Sequence, residues 1–156
     1  MNRKSFVRIG VLLVLAAGIA YAAGNDVFMG TWKLNEAKSK LAAGMPKNST
    51  VVNTADGDNV KVAIDGTDAS GQPFHSDWTG KFDGKEYALT GDPANDMRSY
   101  KVVSDHTLLA ISKKGGKETY SARIVVAADG KSRTVTVSGT DPSGAKVTST
   151  QVYDKQ

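Results

Sequence analysis

The chain has 156 residues, with 20 basic and 16 acidic side chains and no cysteine. The missing cysteines exclude thiolate catalysis, cysteine-ligated zinc and disulfide stapling, so stability has to come from packing and strand pairing. The net charge of +4 is no pointer to nucleic acid: Arg3, Lys4 and Arg8 lie at the extreme N-terminus, and the rest carries 17 basic against 16 acidic residues, with no surplus cation to neutralise phosphates.

The first element predicted is an export signal rather than part of the fold. "MNRKSFVR" is a basic start, "IGVLLVLAAGIA" a short apolar run, and "AYA" sets Ala20 and Ala22 at small-residue positions suited to a signal peptidase. The apolar run falls short of the roughly 20 residues that cross a bilayer. Cleavage after Ala22 leaves 134 residues: a short linker over 23–26 and a single domain over 27–156, large enough to bury its own core. The expected product is exported, soluble, and periplasmic or extracellular, without stable membrane insertion after cleavage.

The domain opens with "VFMGTWKLN", in which Phe28, Gly30, Trp32 and Leu34 share one face by a period of two. Glycine weakens a strand unless a ring or another chain segment comes close, so Gly30 predicts room for an indole nearby. In "NEAKSKLAAGMPKNS", Asn35 is positioned to cap a helix of one or two turns ending near Gly44, with Pro46 preventing continuation. This segment is expected to form a lid or plug at one end of the domain.

From there the pattern is β. "VKVAI" places Val60, Val62 and Ile64 on one face. "FHSDWTGKF" sets Phe74, Trp78 and Phe82 against His75, Asp77, Thr79 and Lys81, and "RTVTVSG" alternates Val135 and Val137 with threonines. Turn clusters such as "ADGD", "FDGK", "KKGGK" and "DPSG" supply the positive φ angles of tight hairpins. Between them lie eight to ten strands, roughly 27–34, 49–54, 59–66, 73–83, 86–90, 96–103, 107–113, 117–127, 132–139 and 145–154. "ADGDNVKVAIDGTDASG" from Ala55 is echoed by "ADGKSRTVTVSGTDPSG" from Ala128, with nine identities in seventeen positions, which favours a meander built from repeated hairpins. Short connections after residue 48 favour a meander over a Greek key. Such a sheet tends to curl and close, removing its edges. The predicted fold class is therefore all-β: a closed antiparallel up-and-down barrel of eight to ten strands, with one short helical segment after the first.

Gly30-Thr31-Trp32 on a first strand resembles the opening of lipocalins and fatty-acid-binding proteins, the calycin barrels. "TQVYDK", Thr150 to Lys155, resembles the last strand of fatty-acid-binding proteins. In those proteins this strand ends in an Arg-x-Tyr that grips a ligand carboxylate; here Tyr153 matches the tyrosine and Gln151 stands at the arginine position. Overall the chain resembles small secreted bacterial proteins of lipocalin-like type. It departs from the fatty-acid-binding pattern in lacking a long helical lid and in Gln151. The resemblance implies two roles for Arg123: replacing the missing cation, or stacking on Trp32 to close the barrel floor as a late arginine does in lipocalins.

The faces above give a predicted interior wall of Trp32, Val62, Ile64, Phe74, Trp78, Phe82, Tyr87, Leu89, Tyr100 and Tyr153, with Val135 and Val137 beside them, and the resemblance adds Gln151 and Arg123 as groups that would orient a ligand's polar end. Mostly apolar walls with a few polar groups suit a small hydrophobic or amphipathic ligand. Eight strands give an interior that side chains can fill, and more strands leave a cavity. Two functions therefore stand: a carrier or sequestering protein, or a filled barrel whose loops act as an interaction or inhibitor module. Catalysis is not expected. In "HSD", Ser76 points away from the face shared by His75 and Asp77, and His106 lies in a turn. No cofactor, metal or nucleic-acid partner is predicted.

Overall fold

The computed structural model describes residues 25–141 and 143–156, so the predicted export signal and the boundary at Ala22 lie outside the described residues. Ten antiparallel strands follow one another: β1 (Gly30–Leu34), β2 (Lys47–Asp56), β3 (Asn59–Thr67), β4 (Pro73–Gly80), β5 (Asp83–Thr90), β6 (Met97–Ser104), β7 (Thr107–Lys114), β8 (Lys117–Val126), β9 (Ser132–Thr140) and β10 (Lys146–Lys155). Each pairs with its sequence neighbours, and the short β1 pairs with both β2 and β10, closing a barrel. Trp32 stands opposite Val51 on one side and Lys155 on the other. The alternation-based reading of a closed meander holds, and the open strand count resolves to ten.

The barrel has a packed end and an open end. The turns after β2, β4, β6 and β8 gather at the packed end, which we call the floor, together with the start of β1 and the end of β10. A 3-10 turn, Asp26–Phe28, crosses it, and Phe28 is fully buried. The Phe28 carbonyl accepts from Trp32 Nε1 at 3.1 Å and from Asn53 Nδ2 at 2.9 Å. Above it, Trp78 meets Tyr100 edge-on at 4.8 Å, and Phe82 lies 5.4 Å from Tyr100 and 6.2 Å from Phe28. These rings fill the floor half, an arrangement worth about 0.5–1.5 kcal/mol per aromatic pair beyond burial itself.

The helix expected after β1 is reduced to a single 3-10 turn, Glu36–Lys38, capped as predicted by Asn35, whose Oδ1 accepts from the Lys38 amide at 3.2 Å. What stops it is competition from β10. Asn35 N donates to Val152 O, and Lys40 and Thr150 exchange backbone bonds at 2.8 and 2.9 Å, so the segment continues the edge of β1 along β10. Of the expected lid, Pro46 and Asn48, at its C-terminal end, reach the interior cavity.

The internal echo is a real structural repeat. Asp68 N donates to Gln72 O and Gly71 N to Asp68 O; 73 residues later Asp141 N donates to Ala145 O and Gly144 N to Asp141 O. Asp68 Oδ1 accepts from Ser70 N, Ser70 Oγ and Gln72 N, and Asp141 Oδ1 from Ser143 N, Ser143 Oγ and Ala145 N. On the strands before these loops, Gly66 and Gly139 sit opposite Phe74 and Tyr120. A Cβ at Gly139 would fall 2.5 Å from the Tyr120 ring, and one at Gly66 only 2.4 Å from the Lys47 carbonyl, so both positions require glycine.

The two loop aspartates should titrate alike. Hydrogen bonds from the loop serine, followed by backbone N–H groups, hold both carboxyls below the ordinary 3.8. A depressed folded pKa contributes stability above the unfolded value that is lost as pH falls through the folded one. Carboxyl titration by NMR should place both midpoints below 3.8, and Asp68→Asn and Asp141→Asn should each flatten the acid limb of the stability curve. An ordinary midpoint at either site would contradict the shared loop geometry.

Candidate functional site: a cavity in the upper barrel

The upper half of the barrel holds a cavity of about 110 Å³. Strand register explains its position. At mid-height one inward row runs Tyr100, Ala110, Ala122, Val137 across β6 to β9, each residue opposite the next. Below it the row Val102, Leu108, Ile124, Val135, Gln151 is bulkier. Two adjacent alanines leave open space that the aromatic rings of the opposite wall, lower down, do not fill. Ile64, Phe74, Leu108, Ile124 and Val135 complete an apolar lining.

The deep end of this space is cationic. Arg133, at the start of β9, is 4% exposed, and its guanidinium carbon sits 4.7 Å from the Trp32 ring centre and 4.9 Å from that of Tyr153. Burial pushes its pKa down to about 10, well below the usual guanidinium value, with Tyr153 and Tyr100 acting the other way. Among the described residues no carboxylate pairs with it, and its Nε has no hydrogen-bond partner. Asn53 Oδ1, on the same cavity, is likewise unpartnered. Tyr153, opposite Arg133 in register, is buried, and burial raises its phenol well above its ordinary pKa. Its hydroxyl lies 3.0 Å from Asn48 O and 2.5 Å from Gln151 Oε1, so one proton is shared between two acceptors, while Gln151 Nε2 donates to Pro46 O.

The mouth is polar, and the arginine there is paired. Arg98 donates from Nε to Ser112 Oγ at 2.9 Å and pairs with Asp92 at 3.3 Å, and both side chains are largely buried. Asn95 donates to Asp92 and accepts from Thr119. This network anchors the loop 91–96 over one side of the mouth, where Asp68 also lies.

Of the predicted wall, Ile64, Phe74, Tyr100, Gln151 and Tyr153 line the cavity. Trp32, Val62, Trp78, Phe82 and Leu89 are buried but belong to the packed core around and below it. Tyr87 is half-buried, edge-on to Trp78 at 5.6 Å with its hydroxyl on Asp83, and Val137 lines the space beside Val135. Arg123 is a correction: it is exposed, on the outer face of β8. Parity is the reason, since its neighbour Ile124 points inward and adjacent strand residues face opposite ways. The arginine that stacks on Trp32 is Arg133, whose inward parity with Val135 and Val137 was available in "RTVTVSG". Outside the barrel, His75 lies between Asp65 Oδ1 at 2.7 Å and Asp77 Oδ2 at 3.2 Å, while Ser76 is buried on the inner side, so no triad forms. His106, expected in a turn, is half-buried there.

No family model matches the chain, and no curated protein matches it in sequence. The geometry of the site therefore carries the functional argument.

The energetics of Arg133 can be bounded. A pKa lowered to about 10 corresponds to a cost of roughly 3 kcal/mol for keeping the cation buried at neutral pH, against about 2 kcal/mol for each desolvated ring contact. The two sides nearly cancel. Arg133→Met, which keeps the stem, should therefore shift folding stability by less than about 2 kcal/mol in urea unfolding, rather than the 3–5 kcal/mol lost on severing a buried ion pair. Arg123→Ala should stay within about 0.5 kcal/mol. A loss above 3 kcal/mol for Arg133→Met would mean that the barrel needs this cation to fold.

Proposed function

We propose that the protein is a small-molecule-binding barrel, a lipocalin-like carrier or sequestering protein that takes an apolar or amphipathic ligand into the upper cavity. The observation that carries this reading is the Ala110–Ala122 pair, which leaves an apolar space beneath the polar mouth. Filling such a space with side chains would add about 0.8 kcal/mol per buried CH₂. Binding is driven by the same term, as apolar walls replace water around the ligand.

The site of action we infer is outside the cytoplasm. The basic–apolar–small pattern of residues 1–22 supports export. Among the described residues, no helix is long and apolar enough to cross a membrane.

Titration with benzyl alcohol, followed by amide chemical shifts, tests the reading. Saturable one-to-one shifts should centre on Ala110, Ala122, Ile124 and Val135. Ala122→Phe, which fills the space, should abolish them while the fold persists. Shifts scattered over the outer surface, or none at millimolar ligand, would leave the alternative: a barrel that acts through its loops.

A further inference from the structure

We propose that the deep end of the cavity seats the carboxylate of a small monocarboxylic acid, bound head-first with Arg133 as its counter-ion and its apolar part toward the mouth. The proposal rests on the ligand-binding reading and adds the chemistry of the head group.

Arg133 is a buried cation without an anion. Its charge faces two rings, Trp32 and Tyr153. Contacts through ring faces use the charge and leave N–H donors for an oxygen acceptor, and Nε has none among the described residues. Carboxylate matches the planar guanidinium fork in a paired, charge-assisted geometry. The other cavity arginine offers no comparable seat, because Arg98 is already taken up by Asp92 and Ser112.

Charge number and position narrow the class. One unpaired cation in an apolar chamber balances one negative charge, and a dianion would bury an unmatched one. Asp68 and Asp92 stand at the mouth, so an acid held there would face like charge, whereas one at the floor end faces Arg133. Above Arg133 the walls are Leu108, Ile124 and Val135, which call for an apolar body rather than a bare inorganic ion. The cavity volume of about 110 Å³ compares with an engineered apolar cavity of about 150 Å³ that holds benzene. The ligand is accordingly the size of one ring or a short aliphatic chain.

The test compares matched pairs on the intact protein at pH 7: benzoate against benzyl alcohol, and hexanoate against hexanol, by calorimetry or amide shifts. Each acid should bind at least about tenfold more tightly than its alcohol, the value of one charge-assisted hydrogen bond. Arg133→Met should bring the ratio to near one, Arg133→Lys should restore part of it, and Arg123→Ala, on the outer face, should leave it unchanged. If Arg133→Met does not fold, Arg133→Lys decides: it keeps the charge but not the planar fork, and should lower the wild-type ratio without bringing it to one. Equal affinities for acid and alcohol would overturn the carboxylate seat while leaving the cavity reading intact. An acid preference that survives Arg133→Met would place the anion elsewhere and also overturn it. Failure of both acids and alcohols to bind would overturn the seat and the ligand-binding function together.

Discussion

The structure depends on the double pairing of a five-residue strand. β1 alone joins β2 to β10, and without it the sheet would present two long unpaired edges, a template for pairing with other chains. A strand this short supplies few backbone hydrogen bonds, so closure relies on what the strand buries. Trp32 is completely enclosed, anchored through Nε1 to the Phe28 carbonyl. Fully burying a large aromatic side chain contributes about 1.5–3 kcal/mol or more. The same carbonyl holds Asn53 of β2, so one atom of the N-terminal turn ties the floor to both sides of the seam. On the other side, the Asn35 side chain donates to Asp154, and segment 35–40 extends the pairing along β10.

Closure at the floor also sets what the rest of the barrel can do. With Phe28, Trp78, Phe82 and Tyr100 packed into the lower half, cohesion is concentrated there. The upper half is then free to carry small side chains without endangering the fold. The distribution is asymmetric by strand as well as by height. β4 and β6 bring in rings, whereas β7 and β8 bring Ala110 and Ala122. A cavity between large and small walls forfeits dispersion contacts that a filled core would have. The mouth network of Asp92, Arg98, Asn95, Ser112 and Thr119 compensates by fixing the strand ends with satisfied polar contacts.

Strands, turns and closure were legible in the sequence because each depends on residues close together in the chain. Alternation at Val60, Val62 and Ile64 or at Phe74 and Trp78 reports facing directly, and Asp-Gly turns report hairpins. The helix after β1 was over-read because a cap at Asn35 announces where a helix begins, not how far it runs. Its length was decided by β10, more than a hundred residues away. The cavity was illegible for a related reason: neither Ala110 nor Ala122 is notable alone, and their adjacency exists only in the register between β7 and β8. Arg133 differs from both. Its parity was in plain view, but Arg123 drew attention through a family resemblance when the alternation of its own strand already placed it outside.

The repeat sharpens the meaning of Arg133. The sister strands β3 and β9 follow the same Ala-Asp-Gly turn and end in the same aspartate-capped loop. Aligned by that repeat, Arg133 corresponds to Val60. Both are inward-facing, and both are almost fully buried, at 4% and 5% exposure. What the fold asks of this position, in the copy where it is answered simply, is an apolar side chain. The barrel meets that demand with a valine on β3 and tolerates a desolvated guanidinium on β9. Stacking on Trp32 and Tyr153 makes the cation bearable, but a valine-like residue would satisfy packing without the desolvation cost that lowers the Arg133 pKa. A charge held where the architecture needs none, beside an apolar chamber and without an acidic partner among the described residues, is better understood as chemistry carried by the fold than as a component of its stability.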